Sequence, residues 1–169
     1  MKNLLFGLIA TVLFAFNGNA QKITQEDVRL QLVTTMSQLV EQCKSTYKEK
    51  MSYEEFIKET FNGNEITTVE AQNLMKAAYK FVSDDVTSEE IIKSYDGKEM
   101  ASVLLIAGNN CNVKDAVAAA FGNNIANSQF GEQLESKRCG WFSWLCDAAV
   151  WIWAHRKDIL ELIIAIQTL

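Results

Sequence analysis

The sequence predicts an all-α fold: a single-domain bundle of about six or seven helices that ends in a long Trp-rich C-terminal helix. The 169-residue chain contains no proline and only eight glycines, so few positions would interrupt a helix. Apolar residues recur at three- and four-residue spacing along most of the chain, as they do on the buried face of an amphipathic helix. Several of these runs follow a serine or threonine that has an acidic residue three positions later, a pattern with which many helices begin.

Four helix starts carry this capping pattern, in which a side-chain hydroxyl and a carboxylate each accept a hydrogen bond from the backbone of the other residue. The pairs are Thr24 with Asp27, Ser52 with Glu55, Thr67 with Glu70, and Thr87 with Glu90. Asp96 and Asn112 are the predicted caps of two further helices, since short polar side chains readily accept a hydrogen bond from a helix start.

The apolar periodicity places the helices after these starts. The first is predicted from about Gln25 into the high forties, with one buried stripe along its length. That stripe consists of Val28, Leu32, Met36, Leu39, Val40, Cys43 and Tyr47. The next helices are predicted over residues 53–61, 68–82, 88–95, 100–107 and 113–121. Residues 125–138 are polar and give no clear periodicity.

Residues 1–20 have the order of regions found in a secretory signal peptide. Lys2 supplies a positive start, residues 4–16 are apolar or small, and Gly18 and Ala20 stand where a signal peptidase requires small residues. The apolar run of about thirteen residues is shorter than the roughly twenty that a membrane-spanning helix needs. The pattern therefore predicts a cleaved leader and no permanent anchor.

Cleavage near Ala20 would leave a mature helical domain of residues 21–169 in the periplasm or outside the cell. Gln21 follows the predicted site, so no cysteine thiol is present there for a lipid anchor. The mature chain is also predicted to contain no transmembrane span.

Four cysteines remain in the predicted mature chain: Cys43, Cys111, Cys139 and Cys146. An even number in an exported protein favours two disulfides, for which three pairings are possible. Residues seven apart on one helix are about 10.5 Å apart along its axis, so Cys139 reaches Cys146 only from a turn before the helix, which Gly140 would permit. We expect Cys43–Cys111 and Cys139–Cys146. Four buried thiols are the alternative, because unpaired cysteine is a common core residue.

The charge distribution argues against a nucleic-acid partner. The formal net charge is −5 at pH 7, and no cluster of lysine and arginine offsets it. Binding to a phosphate backbone depends on such a basic surface, so the sequence predicts none.

The four tryptophans all lie between Trp141 and Trp153. One predicted helical stripe contains Trp141, Leu145, Ala148, Ile152, Ile159, Leu162 and Ile166. Three tryptophans lie away from the centre of that stripe: Trp144, Trp151 and Trp153. They form the candidate interaction surface, because aromatic side chains are favoured at protein interfaces and at lipid headgroups.

The angular spacing of residues around a helix indicates which tryptophans are exposed. Trp151 and Trp153 are about 200° apart around a helix axis, so both cannot face one core layer. We expect Trp141 inside the fold and Trp151 or Trp153 at least partly exposed. Two other interpretations stay open: a C-terminal helix enclosed by the rest of the bundle, or a membrane-active segment.

No catalytic constellation emerges from the chain. His155 is the only histidine, which excludes zinc sites built on several histidines, and no metal, cofactor or nucleotide motif is present. His155 and Asp158 could pair on one helix face, but Ser143 would lie about three turns away, roughly 18 Å, and could not act with them as a nucleophile. We therefore expect a protein that is not an enzyme, with no catalytic, metal-binding or cofactor-binding residues.

The favoured hypothesis is an exported helical protein that binds an unknown protein or a membrane surface through its Trp-rich C-terminal segment. One alternative is a bacteriocin-like or toxin precursor with a membrane-active C-terminal helix. The other is a small hydrolase that uses His155.

Overall fold

The computed structural model describes residues 23–110, 112–128, 140–157 and 159–161, and this part of the chain is helical without any strand. Its helices are α1 (Gln25–Lys44), α2 (Tyr53–Thr60), α3 (Val69–Ser83), α4 (Ser88–Ser94), α5 (Lys98–Gly108), α6 (Val113–Phe121), α7 (Asn123–Ala126) and α8 (Ser143–Ala154), with a 3₁₀ helix (Gly140–Phe142) directly before α8. The predicted all-α class is confirmed. The predicted signal peptide, residues 1–20, lies outside the described residues.

Three of the four predicted capping boxes are present, at the starts of α1, α2 and α4. The N–H of Thr24 donates to the Asp27 carboxylate at 2.8 Å. The N–H groups of Ser52 and Thr87 donate to Glu55 and Glu90 at 2.9 Å each. These hydrogen bonds favour the ionised carboxylates and lower their pKa values, mainly through the Thr24 hydroxyl for Asp27 and through the cap's backbone N–H for both glutamates.

The capping box predicted at Thr67 is wrong. The N-cap of α3 is Thr68, and its side chain makes no capping hydrogen bond. Distant groups explain this, since the N–H of Thr67 donates to the Phe121 carbonyl at 3.1 Å and the Thr68 hydroxyl donates to the Ala120 carbonyl. Both threonines therefore connect the start of α3 to the end of α6.

The two other predicted caps differ in outcome. Asn112 is the N-cap of α6, and its side-chain oxygen accepts the Asp115 N–H at 2.9 Å, as predicted. At α5 the N-cap is Gly97, whose φ of 87° lies in the left-handed region that favours glycine. Asp96 still accepts the Lys98 N–H at 2.9 Å. It does so from the position before the N-cap, not as the N-cap that the sequence predicted.

Helix α1 lies at the centre of the described structure, where it packs against α3, α4, α5 and α8. The predicted stripe from Val28 to Cys43 is buried. The helix ends at Lys44 rather than in the high forties, and Tyr47 is half-buried beyond that end. Three polar residues on its other faces, Thr34, Thr35 and Ser37, are buried too, so neighbouring helices enclose much of its middle.

The approach of α5 to α8 is especially close. A Cβ atom at Gly108 would lie 2.5 Å from the Ala149 carbonyl oxygen and 2.8 Å from the Trp153 Cβ. No side chain fits at that separation, so the contact depends on glycine at the last position of α5. This contact fixes the inner side of α8 against the core.

The expectation for the long C-terminal helix requires a correction within the described residues. Helix α8 ends at Ala154, and its C-cap His155 departs from helical geometry with φ −110° and ψ 17°. The guanidinium of Arg156 donates to the Trp153 carbonyl at 2.9 Å, near the C-terminal end of α8 where carbonyl groups lack helical partners. Residues 156–157 and 159–161 are helical again, whereas Leu162 and Ile166 lie outside the described residues.

The predicted Cys43–Cys111 disulfide is also wrong for this structure. Cys43 lies in the hydrophobic core on α1 with a free thiol and no exposed surface. Burial raises the pKa of this thiol to about 12, so the side chain packs as a neutral apolar group. Cys111 lies outside the described residues, as does Cys139, so the pairing of Cys139 with Cys146 stays a prediction.

Candidate interaction surface

The inner face of α8 is built from small and aliphatic residues. Leu145, Ala148, Ala149 and Ile152 recur at three- and four-residue spacing, and all are buried. This face packs most extensively against α5 and also contacts α1. The packing fixes the rotation of α8 about its axis and thereby decides which residues point outward.

The outer face of α8 consists of Ser143, Asp147, Val150 and Ala154, all of them exposed. Val150 is 73% exposed, the highest value among the large hydrophobic residues in the described part of the chain. The sequence reasoning did not single out Val150. Its position opposite the buried Ile152 was the available signal, because residues two apart on a helix face nearly opposite sides.

Trp151 and Trp153 border this outer face on its two sides. At roughly 100° per residue, Trp151 lies about 100° to one side of Val150, and Trp153 lies about 60° to the other. Both side chains are half-buried, so the partial exposure that we expected is present. Whether they bind a partner stays a prediction.

Trp144 does not belong to the exposed surface, contrary to the sequence-based expectation. It is only 3% exposed, and its ring lies 6.2 Å from the ring centroids of both Phe121 and Trp141. Its indole Nε1 is buried and has no hydrogen-bond acceptor among the residues that the structure describes. Trp144 is therefore a core residue of the α6–α8 region.

Trp141 is half-buried rather than fully inside the fold. It lies in the 3₁₀ helix before α8, so it does not continue the buried stripe that begins at Leu145. Its ring packs against the rings of Phe61 and Phe142, with centroid distances of 5.3 and 5.1 Å. The change from 3₁₀ to α geometry thus exchanges the expected environments of Trp141 and Trp144.

A polar side chain packs on each bordering tryptophan at the C-terminal end of α8. The His155 ring lies 4.8 Å from the Trp151 ring in an edge-to-face arrangement. The guanidinium carbon of Arg156 lies 4.4 Å from the Trp153 ring centroid, within the range of a cation–π interaction. These contacts hold both indoles at the border of the outer face.

The exposed charges around this surface have mixed sign. Asp147 lies on the outer face, and Lys157 and Glu161 are exposed in the helical residues that follow α8. The surface is therefore neither strongly basic nor strongly acidic, so it lacks the positive field that anionic lipid or nucleic acid would require.

The structure does not bring the suggested hydrolase residues together. Ser143 is the first residue of α8 and His155 follows its last residue, which separates them by about three turns, roughly 18 Å. Asp158 lies outside the described residues. Within those residues, no three histidine, cysteine or acidic side chains group as metal ligands would.

A cleft of about 490 Å³ lies between α2 and the loop that precedes it, and no tryptophan lines it. It is lined by Lys48, Glu49, Lys50, Met51, Glu55, Lys58 and Glu59. Lysine and glutamate alternate around it, and the Lys48 ammonium lies 3.8 Å from the Glu59 carboxylate in an exposed ion pair. With its charges balanced in this way, the cleft does not select for a ligand of one charge.

None of the helices in the described part of the chain combines the length and apolar character needed to cross a membrane. Comparison with protein-family models, with curated proteins and with solved structures finds no significant match to this chain.

Proposed function

We propose that this is an exported, non-enzymatic helical protein that binds a partner through the outer face of α8 and the bordering residues Trp151 and Trp153. One observation carries the proposal: Val150, 73% exposed, lies between two half-buried tryptophans. A single exposed valine is ordinary, but apolar side chains that adjoin one another at the surface mark contact sites, and tryptophan is enriched among the residues that dominate binding energy.

The chemistry of the surface supports binding rather than catalysis. An apolar centre with aromatic borders excludes water when a second surface covers it, and this is the source of most binding energy at interfaces. The nearby Arg156 and His155 pack on the indoles and orient them. Ser143, the serine of α8, is separated from His155 by about three helical turns, roughly 18 Å.

The proposal is tested by co-purification from the native cell envelope with the full chain and two matched variants. Val150→Asp places a charge at the centre of the outer face. Val69→Asp makes the same change at a valine that is 65% exposed on α3, away from this surface. We expect V150D to lose the bound material and V69D to retain it. Equal recovery with both variants would contradict the proposal.

Export is the second part of the proposal, and the order of regions in residues 1–20 supports it. Intact-mass analysis of protein from the envelope and the medium should find an N-terminus at Gln21. Protein that retains Met1 in those fractions would contradict cleavage.

A membrane-active toxin or bacteriocin is the alternative function that one observation favours. Trp153 with Arg156 stacked on its ring is a combination suited to lipid headgroups. Exposed Asp147 and Glu161 oppose this alternative, because they would face the anionic surface of a bacterial membrane. Dye release from lipid vesicles by the wild-type chain, abolished in W153A, would support the membrane-active function over the favoured one.

A further inference from the structure

We propose that the partner of the outer face is a second copy of this chain, docked by antiparallel pairing of two α8 segments about a two-fold axis. This inference rests on the proposed function, since it uses the same surface. It names the occupant from the spacing, exposure and charge of the residues on that surface.

The exposed residues repeat with the spacing of a helix–helix seam. They are separated by four, three, four, three and four positions: Ser143, Asp147, Val150, Ala154, Lys157 and Glu161. This is the spacing with which one helix packs along another in a two-helix contact. Every solvent-facing side of a helix has this period, so the spacing alone names no occupant; it defines one continuous line of exposed side chains along which a second helix could pack.

The stripe continues past the interruption at His155. Ile159 is 1% exposed and follows the buried Ile152 by seven positions, so the inner side of the segment stays against the core after α8 ends. The Ile159 N–H also donates to the His155 carbonyl at 3.1 Å, which is the helical spacing. Lys157 and Glu161 therefore lie on the outward side, in line with the outer face of α8.

The charges along the stripe complement each other only when two copies run in opposite directions. With the two-fold axis at the level of Ile152, Asp147 faces Lys157 of the second copy, and symmetry makes this pair twice. Val150 then faces Ala154, a large residue against a small one, and Ser143 faces Glu161. Parallel pairing in register would instead place Asp147 against Asp147 and Lys157 against Lys157, which is repulsive.

The same charges make a lipid surface the poorer occupant. Asp147 and Glu161 would be pressed against headgroups, whereas in the paired arrangement each faces a lysine or a hydroxyl group. Trp151 and Trp153 lie at the two borders of the seam, where they would cover it and exclude water from the central valines. A second copy thus satisfies both the apolar and the charged residues of the stripe.

Sedimentation of the full chain, followed by tryptophan or dye fluorescence over a wide concentration range, tests the pairing. The wild-type protein should show a reversible monomer–dimer equilibrium. V150D should raise the dissociation constant by at least about thirtyfold, as expected at the centre of a seam, and V69D should leave it unchanged. Circular dichroism should show the same helix content for all three proteins.

A charge exchange tests the register. Asp147→Lys and Lys157→Asp should each raise the dissociation constant by about tenfold, because two exposed ion pairs become repulsive by symmetry. The double variant D147K/K157D should return to within about threefold of the wild type, because it restores both pairs.

The results that would contradict pairing with a second copy differ from those that would contradict the proposed binding surface. A wild-type chain that stays monomeric up to about 1 mM, or a dimer that the charge exchange does not affect, overturns the pairing. If that monomer floats with vesicles of phosphatidylcholine or phosphatidylglycerol and V150D does not, the outer face binds lipid and the proposed surface stands. If V150D and V69D behave alike in every assay, the surface itself is wrong.

Discussion

Helices α2 and α8 both present one side to solvent, but they present opposite kinds of surface. The outward positions of α2 are charged: Glu54, Glu55, Lys58 and Glu59. The outer face of α8 has a single charged residue, Asp147, and its centre is Val150. The start of α2 is defined by a capping box, whereas α8 begins after the buried Phe142 without any side-chain cap.

The difference shows how each helix is positioned. A local capping box fixes where α2 begins, and its charged outward residues favour contact with water. Helix α8 has no side-chain cap, so its start and its rotation depend on packing, both of its inner face and of the buried Phe142 and Trp144.

Truncation of Trp144, the buried aromatic residue at the start of α8, should have the largest effect on stability. Trp144→Ala should reduce the free energy of unfolding by roughly 3–5 kcal/mol, because it leaves a large cavity in the core. Urea denaturation followed by circular dichroism measures the loss. Trp141→Ala is the matched control and should cost clearly less, since that ring is half-buried. An equal loss in both variants would contradict the assignment of Trp144 to the core.

The contact between α5 and α8 gives the next largest effect. Gly108→Ala should destabilise the protein by about 1–3 kcal/mol, because the Ala149 carbonyl and the Trp153 side chain must move to admit a methyl group. Helix propensity alone predicts the opposite sign, a gain of up to about 1 kcal/mol. The sign of the change in melting temperature therefore separates the effect of this close contact from that of helix propensity. Ser102→Ala in the same helix controls for propensity.

A smaller effect separates the two helix starts. Ser52→Ala should cost about 1 kcal/mol, since it removes the hydroxyl that accepts the Glu55 N–H at the start of α2. Ser143→Ala should have little effect, because Ser143 is exposed and is not the cap of α8. Chemical denaturation of both variants makes the comparison. A cost at Ser143 equal to that at Ser52 would show that α8 has a local start signal after all.

The smallest expected effect is a loss of folding stability at acidic pH. The capping boxes lower the pKa values of Asp27, Glu55 and Glu90 in the folded state, so their contribution is complete above the ordinary carboxyl pKa and is lost as the pH falls through the lowered values. The wild type should lose more of its free energy of unfolding between about pH 7 and pH 3 than D27N/E55Q/E90Q loses. Parallel urea titrations at both pH values measure this, and identical losses would rule out the carboxylates as the source.

Much of the fold was predictable because its signals are short-range. The caps at Thr24, Ser52 and Thr87 each depend on a residue three positions away, and all three are found as predicted. Helix α6 has the predicted bounds, Val113–Phe121, because Asn112 begins it and Gly122 follows its end. Such features need no knowledge of the rest of the chain.

The failed predictions depend on distant partners or on a change of helix type. Thr67 matches the capping pattern, but the Phe121 carbonyl takes its N–H. Trp141 matches the buried stripe of α8, but a 3₁₀ turn shifts it out of phase with Leu145. For the candidate site, the sequence analysis identified Trp151 and Trp153 from their residue type. Val150 was missed, although its position two residues before Ile152 of the predicted buried stripe already indicated an outward side chain.

The tight contact at Gly108 has one further consequence for α8. A helix whose inner backbone already touches its neighbour has few alternative orientations, so its outer face is ordered before any partner arrives. Binding there would sacrifice little conformational entropy, whereas a flexible tryptophan-rich segment would have to be ordered at the moment of contact. If the outer face binds a partner as proposed, the absence of a side chain at Gly108 would therefore raise the affinity of that binding, although Gly108 itself lies on the opposite helix.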